Sequence, residues 1–151
     1  MGNKSDNSLL SKILDLKKIR VVNNPINKAH GLPNECYISP DYLDYEKEKI
    51  FKDKWVVIGV GNSVPNVGDA KPHNLLGIPL ILLRGKDKKV RVFHNVCSHR
   101  GFKLLDEQCT LKNTLRCPYH FWSYNFEGKL VVTPHIGGLN IHEIDEFDKS
   151  K

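Results

Sequence analysis

The chain has 151 residues, 40% hydrophobic and 26% charged, with a net charge of +6, which is about one domain of ordinary globular composition. The longest apolar stretch, Ile78-Pro79-Leu80-Ile81-Leu82-Leu83, is far too short to span a bilayer, so a membrane protein is not expected. With four cysteines and no export signal, a disulfide scaffold is not expected either; thiols or metal ligands come first.

At the N-terminus, Met1-Gly2-Asn3-Lys4-Ser5-Asp6-Asn7 has no apolar core leading to a small-residue cleavage site, and no signal peptide is expected. Asp6 stands where an acylation pattern wants Ser or Thr, so a lipid anchor is not expected. A cytoplasmic location is expected. Leu9, Ile13 and Leu16 fall at i, i+4 and i+7, one face of a helix, with Ile19 at its edge. Asn23-Asn24-Pro25 through Gly31-Leu32-Pro33 is broken by turn residues. Ser39-Pro40-Asp41 then reads as an N-cap, an N1 proline and an early acid. The helix they open is expected to run to about Lys54, with Leu43, Ile50 and Phe51 facing inward. Residues 1–54 are thus expected to form a helical extension.

From Trp55 the pattern changes to strands. Trp55-Val56-Val57-Ile58-Gly59-Val60 is a short apolar run rich in β-branched residues. Ile78 to Leu83 is another, with Pro79 placing it at an edge or a strand start. Val90, Val92 and Val96 alternate with Arg91 and Asn95, and Arg84-Gly85-Lys86-Asp87-Lys88 reads as the preceding turn. A strand is expected near Thr114-Leu115-Arg116. Phe121–Phe126 and Lys129–Val132 flank Glu127-Gly128, a hairpin turn. Short strands separated by turns make this region a mainly β domain of small antiparallel sheets over residues 55–140.

Charge is uneven. Residues 84–103 hold Arg84, Lys86, Lys88, Lys89, Arg91, Arg100 and Lys103 against Asp87 alone. A solvated hairpin accounts for this block, and a docking site for an acidic redox partner is the sharper alternative. Nucleic-acid binding is not expected, because the block lacks interleaved exposed aromatics and a groove-entering helix. The tail over residues 141–151 is acidic, with Glu143, Asp145, Glu146 and Asp148 against Lys149 and Lys151.

The most specific feature is a pair of mixed motifs. Cys97-Ser98-His99 and Cys117-Pro118-Tyr119-His120 are separated by 17 residues. Each supplies one thiol and one imidazole. Two Cys on one iron and two His on the other is the ligand set of a Rieske-type [2Fe–2S] cluster. Zinc is the competitor, since Cys₂His₂ also satisfies it; finger-type zinc sites, however, usually pair Cys with Cys and His with His. Gly101 suits a φ > 0 turn, and Pro118 stiffens the second loop. Each His would use one nitrogen for iron and leave the other at the protein edge, free to meet a carboxylate of a partner. Trp122 and Tyr124 follow the second ligand; hairpin packing is their default reading, and shielding of the cluster is the alternative.

Beyond the ligands, the chain resembles the N-terminal part of the α subunits of Rieske non-haem iron ring-hydroxylating oxygenases. The resemblance covers roughly residues 37–134. It runs through Tyr45-Glu46-Lys47-Glu48-Lys49-Ile50-Phe51, Trp55, Asn66-Val67-Gly68-Asp69 and Phe93-His94-Asn95-Val96-Cys97-Ser98-His99-Arg100-Gly101. It continues through Cys117-Pro118-Tyr119-His120-Phe121-Trp122-Ser123-Tyr124 and Gly128-Lys129-Leu130. It implies a Rieske fold and one [2Fe–2S] cluster per chain, with Cys97 and Cys117 on the inner iron and His99 and His120 on the exposed one. It also implies an electron-donating reductase or ferredoxin, a mononuclear non-haem iron catalytic domain as electron acceptor, and a homo-oligomer. Cytochrome-complex Rieske proteins carry a disulfide between their ligand loops; the corresponding residues here are Phe102 and Tyr119, so a low-potential, oxygenase-like cluster is implied. Cys36 and Cys109 read as ordinary thiols. The family's catalytic iron site has no counterpart in this sequence. His135 and His142 near Glu143 and Asp145 read as a chance surface group, and residues 141–151 as the start of a linker. The expected function is the electron-transfer portion of such an oxygenase, not catalytically complete alone. The alternative is a stand-alone Rieske-type ferredoxin.

Overall fold

The computed structural model describes Ser11, residues 14–145 and residues 147–149. The chain divides into two compact units, Met1–Val57 and Ile58–Lys151.

The first unit is made of short helices: α1 (Leu16–Arg20), α2 (Glu35–Ile38) and α3 (Pro40–Glu46). Asp15 opens α1, its side chain accepting the Lys17 N–H at 2.9 Å. Leu9 and Ile13, expected on the face of this helix, lie outside the described residues. Ser39 caps α3 as its sequence implies, accepting the Tyr42 N–H at 3.3 Å with Pro40 at the first turn. After Glu46 the helix widens into a π turn over Lys47–Phe51, where the Lys52 N–H reaches back to the Lys47 carbonyl. Leu43 and Ile50, expected to face inward, stay 40% and 45% exposed. The helix is too short, and too distorted at its end, to bury a continuous stripe.

No strand forms over residues 55–60. The run is rich in β-branched side chains but has no pairing partner, and Trp55 and Val57 are exposed. Strand propensity without a ladder partner does not make a strand.

The second unit holds two antiparallel sheets. The larger has the order β3-β2-β1-β4, built from β1 (Asp69–Leu75), β2 (Ile78–Arg84), β3 (Val90–His94) and β4 (Cys109–Thr110). The smaller is β5-β6-β7, from β5 (Leu115–Arg116), β6 (Ser123–Tyr124) and β7 (Leu130–Val132). The architecture is mainly β with small antiparallel sheets. Pro79 lies at the start of β2, which is a central strand. Strand β1, sequence Asp-Ala-Lys-Pro-His-Asn-Leu, has almost no apolar alternation and was not foreseen; full pairing with β2 makes it a strand. The two turn over Leu76 (φ 52°) and Gly77 (φ 95°), the left-handed pair that a two-residue hairpin requires.

Gly68 is held by a close approach. A Cβ there would sit 2.1 Å from the Leu111 carbonyl oxygen, and the Gly68 N–H and C=O bond Arg84 and Leu111. The core draws from both sheets, with Ile81, Leu83, Leu115, Phe126 and Leu130 all buried. Cys97 and Cys117 belong to that same core.

Candidate metal centre

Strand β3 leads into the first ligand loop and β5 into the second, so each sheet delivers one loop. The two loops share a backbone pattern. In the first, the Gly101 N–H donates to the Cys97 carbonyl at 2.9 Å and the Cys97 N–H to the Phe102 carbonyl at 2.7 Å. In the second, the Phe121 N–H donates to the Cys117 carbonyl at 3.1 Å and the Cys117 N–H to the Trp122 carbonyl at 2.8 Å. The residue four after each cysteine is left-handed: Gly101 at φ 68° and Phe121 at φ 62°. Each loop therefore closes on itself and aims its cysteine inward.

Both thiols are 1% exposed, whereas His99 and His120 are half-buried. The imidazoles sit side by side, ring centroids 4.8 Å apart at 68°. The two thiols are thus buried, and the two imidazoles are partly open to solvent. Burial first, then His120 and Arg100, push His99 below the usual imidazole value. That favours the neutral ring, the form that binds metal.

His120 Nδ1 is buried and has no hydrogen-bond partner, and it is the one such side-chain atom among the described residues. Leaving a buried polar atom unpaired costs about 1–3 kcal/mol, which a metal bond would offset. Among the described residues no three His, Cys, Asp or Glu side chains gather closely enough to hold a single ion. Two cysteines and two histidines, one of each from each loop, are the donor set of a Rieske-type two-iron cluster.

Two residues near the ligands have roles that sequence reasoning missed. The Tyr124 hydroxyl lies 3.3 Å from Cys97 Sγ, accepts the Ser98 N–H at 3.0 Å and meets Ser98 Oγ at 2.9 Å. Tyr124 therefore touches a donor sulfur rather than merely packing. Asn95, 1% exposed, had read only as the polar side of a strand. Its Oδ1 accepts the Leu104 and Leu105 N–H groups at 3.0 and 2.9 Å, and its Nδ2 donates to the Leu105 carbonyl at 2.6 Å. This clamp holds the return of the first loop. A polar residue two positions before a ligand was the available signal. Trp122, buried at 6%, stacks on His99 with centroids 4.4 Å apart and planes at 10°.

Much of the basic block serves the fold. Arg84 donates to the carbonyls of Val64, Gly61 and Lys88. Arg91 makes a two-pronged pair with Asp87 at 2.8 Å, which holds the Asp87 carboxyl far below the usual carboxylate range. Lys103 pairs with Asp106 at 2.9 Å. Arg116 rests its guanidinium 4.1 Å from the Phe121 ring centroid.

His135 and His142 do come together, 4.8 Å apart, but both are exposed. Each accepts a backbone N–H at Nδ1, His135 from Asn140 at 3.0 Å and His142 from His135 at 3.1 Å. They tie a loop. Cys36 and Cys109 are free thiols, and burial and then Asp69 push Cys109 up.

Comparison with known proteins points the same way. A family model described as the Rieske [2Fe–2S] domain matches residues 54–143. The carnitine monooxygenase oxygenase subunit of Escherichia coli (strain K12) is 32% identical over 128 residues, 85% of this chain and 33% of that protein. The biphenyl dioxygenase α subunit of Metapseudomonas furukawaii is 33% identical over 110 residues, 72% of this chain and 24% of that protein. A crystal structure of a quaternary ammonium Rieske monooxygenase with γ-butyrobetaine superimposes with a TM-score of 0.66 at 32% identity, covering 78% of this chain and 32% of that one. Naphthalene 1,2-dioxygenase from Rhodococcus sp. gives a TM-score of 0.66 at 27% identity, over 86% of this chain and 27% of that one. The chain thus spans about a third of the carnitine monooxygenase subunit it matches.

Proposed function

Because the chain belongs to the Rieske [2Fe–2S] domain family, we propose that it is the electron-delivering portion of a ring-hydroxylating-type oxygenase. In this reading it accepts single electrons from a reductase or ferredoxin and hands them to a mononuclear iron site on another domain or chain. Cys97 and Cys117 would hold one iron of the cluster and His99 and His120 the other. The proposed domain limits are residues 1–54 for the extension, 55–140 for the cluster domain and 141–151 for a linker.

The observation that carries this reading is the orphaned, buried Nδ1 of His120 beside the His99 imidazole, in a chain whose two loop cysteines are both buried. A bound Rieske-type cluster supplies reversible one-electron storage. The protein does the rest. The loop backbones aim both sulfurs inward, Tyr124 reaches Cys97 Sγ, and Trp122 covers one face of His99. The half-buried imidazoles keep the electron's exit near the surface, where Arg100 and Arg116 are exposed. Those cations favour an acidic partner and raise its encounter rate.

The match to the carnitine monooxygenase subunit extends over 128 residues, beyond the reach of the domain alone. That supports an oxygenase component over a stand-alone ferredoxin. No helix among the described residues is long and apolar enough to cross a membrane. The four free cysteines favour a reducing compartment, and a cytoplasmic location is proposed. Substrate choice belongs to the catalytic partner domain, and a homo-oligomer is the proposed working state.

The test is anaerobic purification followed by EPR and visible spectra, with iron and sulfide counts. Two irons and two sulfides per chain and a Rieske spectrum are expected, and Cys97→Ser should abolish both. A full Rieske spectrum from purified Cys97→Ser would sink the assignment. Reduction of the cluster by a reductase, followed by oxidation on mixing with a catalytic iron domain, tests the relay.

A further inference from the structure

Phe147, Trp122 and His99 make a continuous line of aromatic contacts. The Trp122 indole lies nearly parallel to the His99 ring, centroids 4.4 Å apart. Phe147 meets the same indole edge-on, at 5.5 Å and 72°. Trp122 is buried and Phe147 half-buried against the same core.

Phe147 lies past the end of the matched domain, which stops at residue 143. The chain beyond that point folds back. The Phe147 N–H donates to the Ile144 carbonyl at 3.1 Å, and Lys149 pairs with Glu143 at 3.0 Å. Gly137 makes room for this return, since a Cβ there would meet Ile141 and Ile144 at 2.5 and 2.6 Å. The ligand loops do not need it for closure, because each closes through its own backbone bonds. What the returning segment reaches, through one indole, is the plane of one imidazole.

An imidazole held to a metal by one nitrogen keeps freedom to rotate about that bond. Neighbouring contacts set its plane, and the plane shapes how unpaired spin spreads onto the ring. Stacking on a large fixed surface is such a contact.

We infer that Trp122 and Phe147 are positioning residues for His99, and that the segment following the domain is thereby coupled to an iron ligand. Phe147 seats the indole, and the indole fixes the imidazole. Anything that displaces Phe147 from the indole then alters the ligand's orientation without touching the ligand. The inference rests on His99 being a cluster ligand.

The experiment compares reduced wild-type protein with Phe147→Ala, Phe147→Leu and Trp122→Phe by EPR and by pulsed measurement of the two histidine nitrogen couplings. Thermal melting and iron counts run alongside. Phe147→Ala should keep its iron yet shift the g-values and change one nitrogen coupling, leaving the other in place. Trp122→Phe should change the same coupling more. Phe147→Leu should restore most of the wild-type signal, because it refills the space against the indole. A merely structural role would lower the melting temperature and leave the couplings alone; that outcome, with iron retained, overturns the inference. Should Phe147→Ala fail to fold, Trp122→Phe and Phe147→Leu decide by the same criterion. A wild-type protein with no Rieske signal would remove the cluster reading itself, whereas a normal wild-type signal with unmoved variants removes only the positioning role.

Discussion

The Phe102 and Tyr119 rings meet across the two ligand loops, centroids 5.3 Å apart with planes tilted by 39°. This contact is an aromatic tie between the two loops. Such a pair contributes about 0.5–1.5 kcal/mol, against typically 2–4 kcal/mol for a disulfide. Both rings are half-exposed, at 44% and 52%, which favours the lower figure. A double-mutant cycle of Phe102→Ala and Tyr119→Ala, read by denaturant unfolding, should give a coupling near 0.5–1 kcal/mol. Zero coupling would mean that this ring pair does not tie the loops.

With Cys97 as a cluster ligand, as proposed, its thiolate would carry no proton, and the Tyr124 hydroxyl would be the donor in the 3.3 Å contact with Cys97 Sγ. Donation favours the more negative, reduced form and raises the potential. Tyr124→Phe should lower it. If the differential matches a net hydrogen bond of about 0.5–1.5 kcal/mol, the drop is roughly 20–65 mV for one electron. A potentiometric titration followed by EPR measures it, and an unchanged potential would show that the contact does not tune the cluster.

Gly101 and Phe121 occupy equivalent left-handed positions at very different cost. The space around Gly101 is open, so Gly101→Ala should lose only the backbone penalty, about 1 kcal/mol. Phe121→Gly would relieve a similar penalty but remove the Arg116 guanidinium from its ring, a contact of about 0.5–1 kcal/mol at an exposed site. Its stability should therefore change little. Arg116→Ala should destabilise the wild type more than it does the Phe121→Gly variant, as melting temperatures of the four proteins would reveal.

Acid should weaken the end of the larger sheet. The Asp69 carboxyl is held below the usual carboxylate value, first by the Asn66 N–H and then by the Thr110 hydroxyl, against burial. A depressed native pKa contributes stability that is complete above the unfolded value of about 3.9 and is lost as pH falls through the native one. The melting temperature should hold down to about pH 4.5 and then fall. In Asp69→Asn the starting value should be lower and the acid limb shallower. Equal acid limbs in the two proteins would remove Asp69 from the account.

Membership of the Rieske family and the start of α3 were legible in local patterns. Cys97, His99, Cys117 and His120, the proposed ligands, lie in two short stretches of chain whose residue types and spacing are local properties. The same holds for Ser39 and Pro40, whose capping acts within one turn. The tertiary structure decided everything that depends on contact between distant positions. It made a strand of the polar run Asp69–Leu75 by pairing it with β2, and denied one to the apolar run at 55–60, which found no partner. It brought the Tyr124 hydroxyl to Cys97 across 27 positions and carried Phe147 back to Trp122. Ladder bonds and side-chain packing are formed between chain segments, and a local pattern holds no record of which segment will arrive opposite it.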